Sequence, residues 1–158
     1  MIVRRRAWLI ASALSVCGHG AFAAPSDDGD DQALAADADY AAGLAALKAQ
    51  DFSAALPRFL GALRRFPESA NLHNDLGYTF RKLGGLEQAF AHYKRALIID
   101  PSHRSAHEYI GEAYLIVDDV AGAQQHLEAL RAICTLPCEE MRDLQATIEA
   151  HRHKTSVR

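Results

Sequence analysis

Apolar residues recur at steps of three and four along most of the chain. Leu76, Phe80 and Leu83 are spaced four and three apart, and Ile110, Tyr114 and Val117 repeat those steps further along. This spacing gathers apolar side chains on one face of a helix and leaves the other face polar. Met141, Leu144 and Ile148 form one more such stripe near the end. The pattern predicts helices over 37–49, 52–66, 70–83, 86–99, 102–117 and 120–133, and a closing helix over 139–151. Lys82-Leu83-Gly84-Gly85 reads as the tight turn between two antiparallel helices, and abundant alanine, the strongest helix former, suits an all-α chain.

The helices are organised by a fixed period. Gly43, Gly77 and Gly111 are evenly spaced, and Ala55, Ala89 and Ala123 keep the same step. Phe59, Tyr93 and Leu127 share it, as do Ala62, Ala96 and Leu130, and so do Pro67 and Pro101. A repeat of this length is one helical hairpin that cannot bury its apolar face alone and must stack on its neighbours. Small residues let paired helices approach, large ones fill the adjoining space, and proline ends the second helix.

The middle unit, His73-x-x-Leu76-Gly77-x-x-Phe80 followed by Ala89-x-x-x-Tyr93, Ala96 and Pro101, resembles the tetratricopeptide repeat (TPR). The resemblance covers roughly residues 36–137 and implies a short right-handed α-solenoid. Three TPR units are expected at about 36–69, 70–103 and 104–137, with a capping helix at 138–153. Unit one departs most, with Asp39, Ala42 and Ala46 where unit two has His73, Leu76 and Phe80. Pro57 falls early in its second helix, where proline is tolerated only in the first turn. Unit three has Thr135 in place of the expected proline.

The family resemblance also implies a function. First helices of successive units line a concave groove that holds a partner protein or peptide. On the stripe facing that groove stand Asp37, Tyr40, Leu44 and Leu47 in unit one, Asn71, Asn74, Tyr78 and Arg81 in unit two, and Ser105, Glu108, Glu112 and Leu115 in unit three. Tyr40, Leu44, Asn71, Asn74, Tyr78, Arg81, Glu108 and Glu112 are the candidate partner-binding residues. One TPR subclass grips a C-terminal carboxylate with cations from its third unit; Ser105 and Tyr109 do not supply them here.

Residues 1–23 carry three arginines, a short apolar run and Ala21-Phe22-Ala23, the layout of a secretory leader cleaved after about Ala23. The run is too short to span a membrane. Arg5-Arg6 also fits a twin-arginine leader, but an ordinary secretory signal is preferred. The expected location is the periplasm, without membrane insertion after the leader is removed. Cleavage removes Arg4, Arg5 and Arg6 and no acid, moving the net charge from −3 to −6. An acidic product argues against nucleic acid as the partner. Residues 24–35 read as an acidic flexible linker, and 154–158 as a disordered tail.

Cys134 and Cys138 would then be the remaining cysteines, and a disulfide across Thr135-Leu136-Pro137 would pin the cap to unit three. The eight histidines raise a metal-handling alternative. His73 and His107 would be neighbours on adjacent helices, while His151 and His153 are expected to stand in solvent. No cysteine or carboxylate joins them at ligand spacing, so no metal site or cofactor is assigned. Phosphate loops, nucleophile elbows and zinc-protease motifs are missing, so the chain is read as a non-enzyme. The leading reading is a periplasmic adaptor or assembly protein. The alternatives are a metal- or redox-handling protein and a structural subunit of an envelope complex.

Overall fold

The computed structural model describes residues 27–156, and every regular element among them is a helix. In chain order these are α1 (Asp27–Ala35), α2 (Ala38–Lys48), α3 (Phe52–Leu63), α4 (Ala70–Lys82), α5 (Leu86–Ile99), α6 (Arg104–Ile116), α7 (Val120–Ile133) and α8 (Glu139–Ser156). Three hairpins, α2–α3, α4–α5 and α6–α7, stack in sequence, and α8 packs on both α6 and α7. The expected leader lies outside the described residues.

Side chains at the helix starts fix the boundaries. Asp37, Asp51, Ser69 and Asp119 each cap a helix by accepting from backbone N–H groups one turn on. His103 does the same for α6 through its ring. Each hairpin turn carries one left-handed residue, and these too keep the period: Gln50 (φ 59°), Gly84 (φ 83°) and Asp118 (φ 61°). Only Gly84 adopts that conformation without a side-chain penalty.

The three spaced glycines sit where helices cross. A Cβ on Gly77 would lie 2.6 Å from Tyr93 Cδ1, and one on Gly43 would overlap the ring of Phe59. In unit three the partner position holds the smaller Leu127, and the space beside Gly111 is filled by Leu144 of α8, whose methyl carbons would lie 2.7 Å from an added Cβ. The cap thus takes over the role that an aromatic plays in the first two units. Tyr93, Phe59 and Leu144 are fully buried.

Three expectations are corrected. The segment expected as a flexible linker contains α1, and its Leu34 is buried in one cluster with Tyr40, Phe59 and Leu76. It supplies bulk that Ala42 and Ala46 lack. The tail expected to be disordered is helical as far as Ser156, because α8 runs on past His151. Pro57 stands at the sixth position of α3, beyond the first turn. The carbonyl it deprives of a donor belongs to Ser53, which is exposed, so water can replace the lost bond.

Candidate functional site

α6 packs against both α4 and the cap α8, a side-chain hydrogen bond ties α2 to α4, and the expected partner-binding residues stand on α2, α4 and α6. Several of those residues are engaged within the protein. Tyr40 is buried and donates its hydroxyl to Asp75 Oδ2 at 2.8 Å, tying unit one to unit two. Burial pushes the Asp75 carboxyl up to about 6, although the Tyr40 hydrogen bond pulls the other way. Asn71 bridges, donating to Asp31 Oδ1 at 3.0 Å and accepting from His103 Nε2 at 3.1 Å. Asn74 is buried, and its Oδ1 has no partner among the described residues.

Arg81 is the keystone of this face. It reaches from α4 to Glu112 Oε2 on α6 at 2.7 Å and donates through Nε to the Tyr93 hydroxyl at 3.3 Å. Its guanidinium lies over the rings of Tyr78 and Tyr109, 5.3 and 5.6 Å from their centroids. With its side chain only 9% exposed, Arg81 shapes the floor instead of offering an open charge. Cation–π contact and a desolvated ion pair together hold the two tyrosines in place.

Around that keystone runs an aromatic strip. Phe52, Tyr78 and Tyr109, from α3, α4 and α6, are linked by ring separations of 6.0 and 5.1 Å, and all three are half-buried. Phe52 and Tyr109 are not among the residues that the sequence pattern assigns to the site. Tyr109 is one residue from Glu108 on the assigned stripe, and only the cross-helix packing brings it alongside Tyr78. Leu44, at the unit-one position equivalent to Tyr78, is 41% exposed.

Glu108 gives the face its charge character. Burial pushes its carboxyl up to about 7, and Glu112 on the same helix with Asp143 and Glu140 on α8 add to the effect. Arg81 opposes it only as the smallest influence, since Glu112 already neutralises that cation. Further along, Arg81, Lys82, Glu112, Leu115, Thr147 and Lys154 line a hollow of about 550 Å³ between α4, α6 and α8.

The remaining expected chemistry lies elsewhere. Cys134 and Cys138 are joined as a disulfide with their Cα atoms 6.0 Å apart, between α7 and α8. His73 and His107 bond separately, because each ring turns to a histidine of its own hairpin, His92 and His126 respectively. His151, expected to stand in solvent, bonds Asp118 Oδ1 at 2.7 Å. Among the described residues no three His, Cys, Asp or Glu side chains are grouped to hold a metal ion. No described helix is long and apolar enough to cross a membrane.

A family model described as tetratricopeptide repeat matches residues 40–104. Comparison with curated proteins finds no match. Among solved structures the chain is similar to the TPR2B domain of yeast Sti1 in a complex with an Hsp70 peptide, with a TM-score of 0.67 and 19% identity over 73% of this chain and 94% of that one. It is similar to PcrH bound to the chaperone-binding region of PopD, with a TM-score of 0.65 and 22% identity over 82% and 96% of the two chains. It is also similar to the Sgt2 TPR domain of Aspergillus fumigatus, with a TM-score of 0.62 and 20% identity over 84% and 81%.

Proposed function

We propose, from the premise that this chain is a tetratricopeptide-repeat protein, that it is a non-catalytic adaptor or assembly protein holding a segment of another protein in the groove of α2, α4, α6 and α8. The carrying observation is the strip Phe52–Tyr78–Tyr109, fixed from beneath by Arg81 and left half-open to solvent. Rings held rigid before a ligand arrives bury apolar surface at little conformational cost. Two of the similar structures hold segments of other proteins, an Hsp70 peptide and a PopD region, which supports a binding role for the fold.

The chemistry of the groove narrows the ligand. Arg81 is neutralised by Glu112 and is poorly placed to seize a terminal carboxylate. Glu108, crowded by carboxylates, is stabilised by an incoming cation. The segment that fits sets an apolar or aromatic side chain on Tyr78 and Tyr109 and a basic one beside Glu108.

The working place we propose is the periplasm, after cleavage near Ala23. The leader layout and a cysteine pair suited to an oxidising compartment support this. Fusion of residues 1–30 to a reporter active only after export tests it, and a reporter retained in the cytoplasm rejects it.

For the groove, the test is recovery of partners by immobilised protein. Tyr78→Ala combined with Tyr109→Ala should lower recovery of a specific partner at least about tenfold, in line with loss of aromatic hot-spot contacts. Equal recovery by a variant with the parent's circular dichroism rejects the groove.

A further inference from the structure

One arrangement occurs twice, one period apart. His73 on α4 faces His92 on α5 with their Nδ1 atoms 2.9 Å apart, and His107 on α6 faces His126 on α7 at the same distance. Nε2 of His73 lies 3.1 Å from the Pro67 carbonyl oxygen, and Nε2 of His107 lies 3.0 Å from that of Pro101. A carbonyl can only accept, so both Nε2 atoms carry hydrogen. A neutral ring has one N–H, which leaves Nδ1 of His73 and His107 bare. His92 and His126 must therefore donate from Nδ1. An aromatic ring backs each donor: Phe80 stacks on His92 and Tyr114 on His126.

Unit one has a different pair at the same two positions. Asp39 and Arg58, each one period before His73 and His92, form an ion pair at 3.4 Å. All three hairpins are thus bridged at one equivalent point, by opposite charges in unit one and by paired imidazoles in units two and three.

We propose that the two histidine pairs are proton-operated latches, which hold α4 to α5 and α6 to α7 only while Nδ1 of His73 and of His107 stays bare, so that acid loosens units two and three before unit one. A proton added at Nδ1 of His73 or His107 sets N–H against N–H across 2.9 Å and abolishes the bond, whereas one added at Nε2 of His92 or His126 leaves it in place. Little nearby can take up the new charge. The first pair faces Arg95 of α5 and Glu68 of the preceding turn, which are engaged with each other. The second pair faces Lys94 of α5, another cation, and His103 lies near at the start of α6. Burial, then the neighbouring histidine, holds His92 and His126 down to about 4.

In the closed pair Nδ1 of His73 or His107 is taken up by the facing N–H, and opening frees it to bind a proton from about pH 6.5 downwards, so closure weakens as pH falls below that value. At pH 5 each pair favours opening by roughly 20-fold relative to neutrality. Asp75 and Glu108, whose carboxyls are pushed up, gain stability over part of the same range. Whole-protein melting therefore mixes both effects, and the latch must be read locally. The consequence for the groove, which α4 and α6 line, rests on the proposed function; the latch itself does not.

Two measurements on the full chain decide it. Imidazole nitrogen–proton correlation spectra at pH 7 should show Nε2–H for His73 and His107 and Nδ1–H for His92 and His126. Hydrogen exchange, corrected for intrinsic rates, should show opening of α4–α7 rising by roughly 20-fold per pair from pH 7 to pH 5, with α2–α3 changing far less. The double variant His92→Asn/His126→Asn keeps a neutral donor for the facing Nδ1 and can turn its amide oxygen to accept once that nitrogen is protonated, so it should lose that rise. The reverse tautomers, or an undiminished rise in the variant, overturn the proposal. Should the variant fail to fold, the tautomers and the α4–α7 against α2–α3 contrast in the parent decide alone.

Discussion

Arg81 on α4 and Glu112 on α6 meet at 2.7 Å beneath the rings of Tyr78 and Tyr109. The ion pair crosses from one repeat to the next and is largely withdrawn from water, so neither charge can be removed alone without leaving the other stranded. Arg81→Ala should destabilise the protein by about 2–4 kcal/mol in urea melts, and a double-mutant cycle with Glu112→Gln should show strong coupling. Additive effects would mean that the pair does not organise the groove floor.

The glycine at the centre of unit two admits a rigid ring. Gly77→Ala places a methyl 2.6 Å from the buried Tyr93 ring, which cannot withdraw through fully packed surroundings. The expected loss is about 2 kcal/mol. Gly77→Ala paired with Tyr93→Leu should recover part of it, since Leu127 occupies that place in unit three.

The turn of unit one should accept improvement. Gln50 is exposed and sits at φ 59°, where unit two has Gly84 at φ 83°. Gln50→Gly should stabilise the protein by about 0.5–1 kcal/mol by relieving the left-handed strain. Calorimetric melting of the two proteins checks this. Asp118 is a poorer site for the same change, because it also bonds His151.

Glu108 sets a pH dependence of its own. Its carboxyl is raised to about 7, so the unfolded chain ionises first and stability falls as pH rises from about 4.5 through 7. Glu108→Gln should be more stable than the parent at pH 8 by about 1 kcal/mol, a figure reduced for the half-exposed site, and should match it near pH 4. Urea melts at the two pH values measure the difference, and the opposite sign would contradict the placement of Glu108 among carboxylates.

The disulfide clamps the cap at modest gain. Cys134 and Cys138 close a loop of few residues, so reduction should cost about 1–2 kcal/mol. Melts with and without reductant give the value.

Much of this fold is legible in the periodicity, because Gly77, Tyr93 and Ala96 each answer to a packing demand that repeats once per hairpin. The helix pairs and their turns follow from it. α1 is hidden because its aspartates look like a solvated run and a single side chain, Leu34, ties it to the core. The groove is legible as a stripe but not as a site. Spacing places Arg81 and Asn71 on one stripe of α4, yet cannot show that Glu112, Asp31 and His103 already engage them. Tyr109 and Phe52 join the site through contacts between helices, and no single-helix pattern contains those. The histidine pairs are hidden for the same reason, since His73 and His92 lie 19 residues apart on opposite arms of one hairpin.

Site-specific photo-crosslinking tests the binding groove most directly. Leu44 on α2 and Leu60 on α3 are 41% and 39% exposed, so they offer a reactive group nearly equal access to solvent from the two arms of one hairpin. With benzoylphenylalanine at position 44, the protein should yield one discrete adduct when irradiated in cells, and the adduct should be lost on adding Tyr78→Ala. With the same group at position 60 it should yield none. An adduct from position 60 alone, or one from position 44 that is indifferent to Tyr78, would contradict binding in the groove.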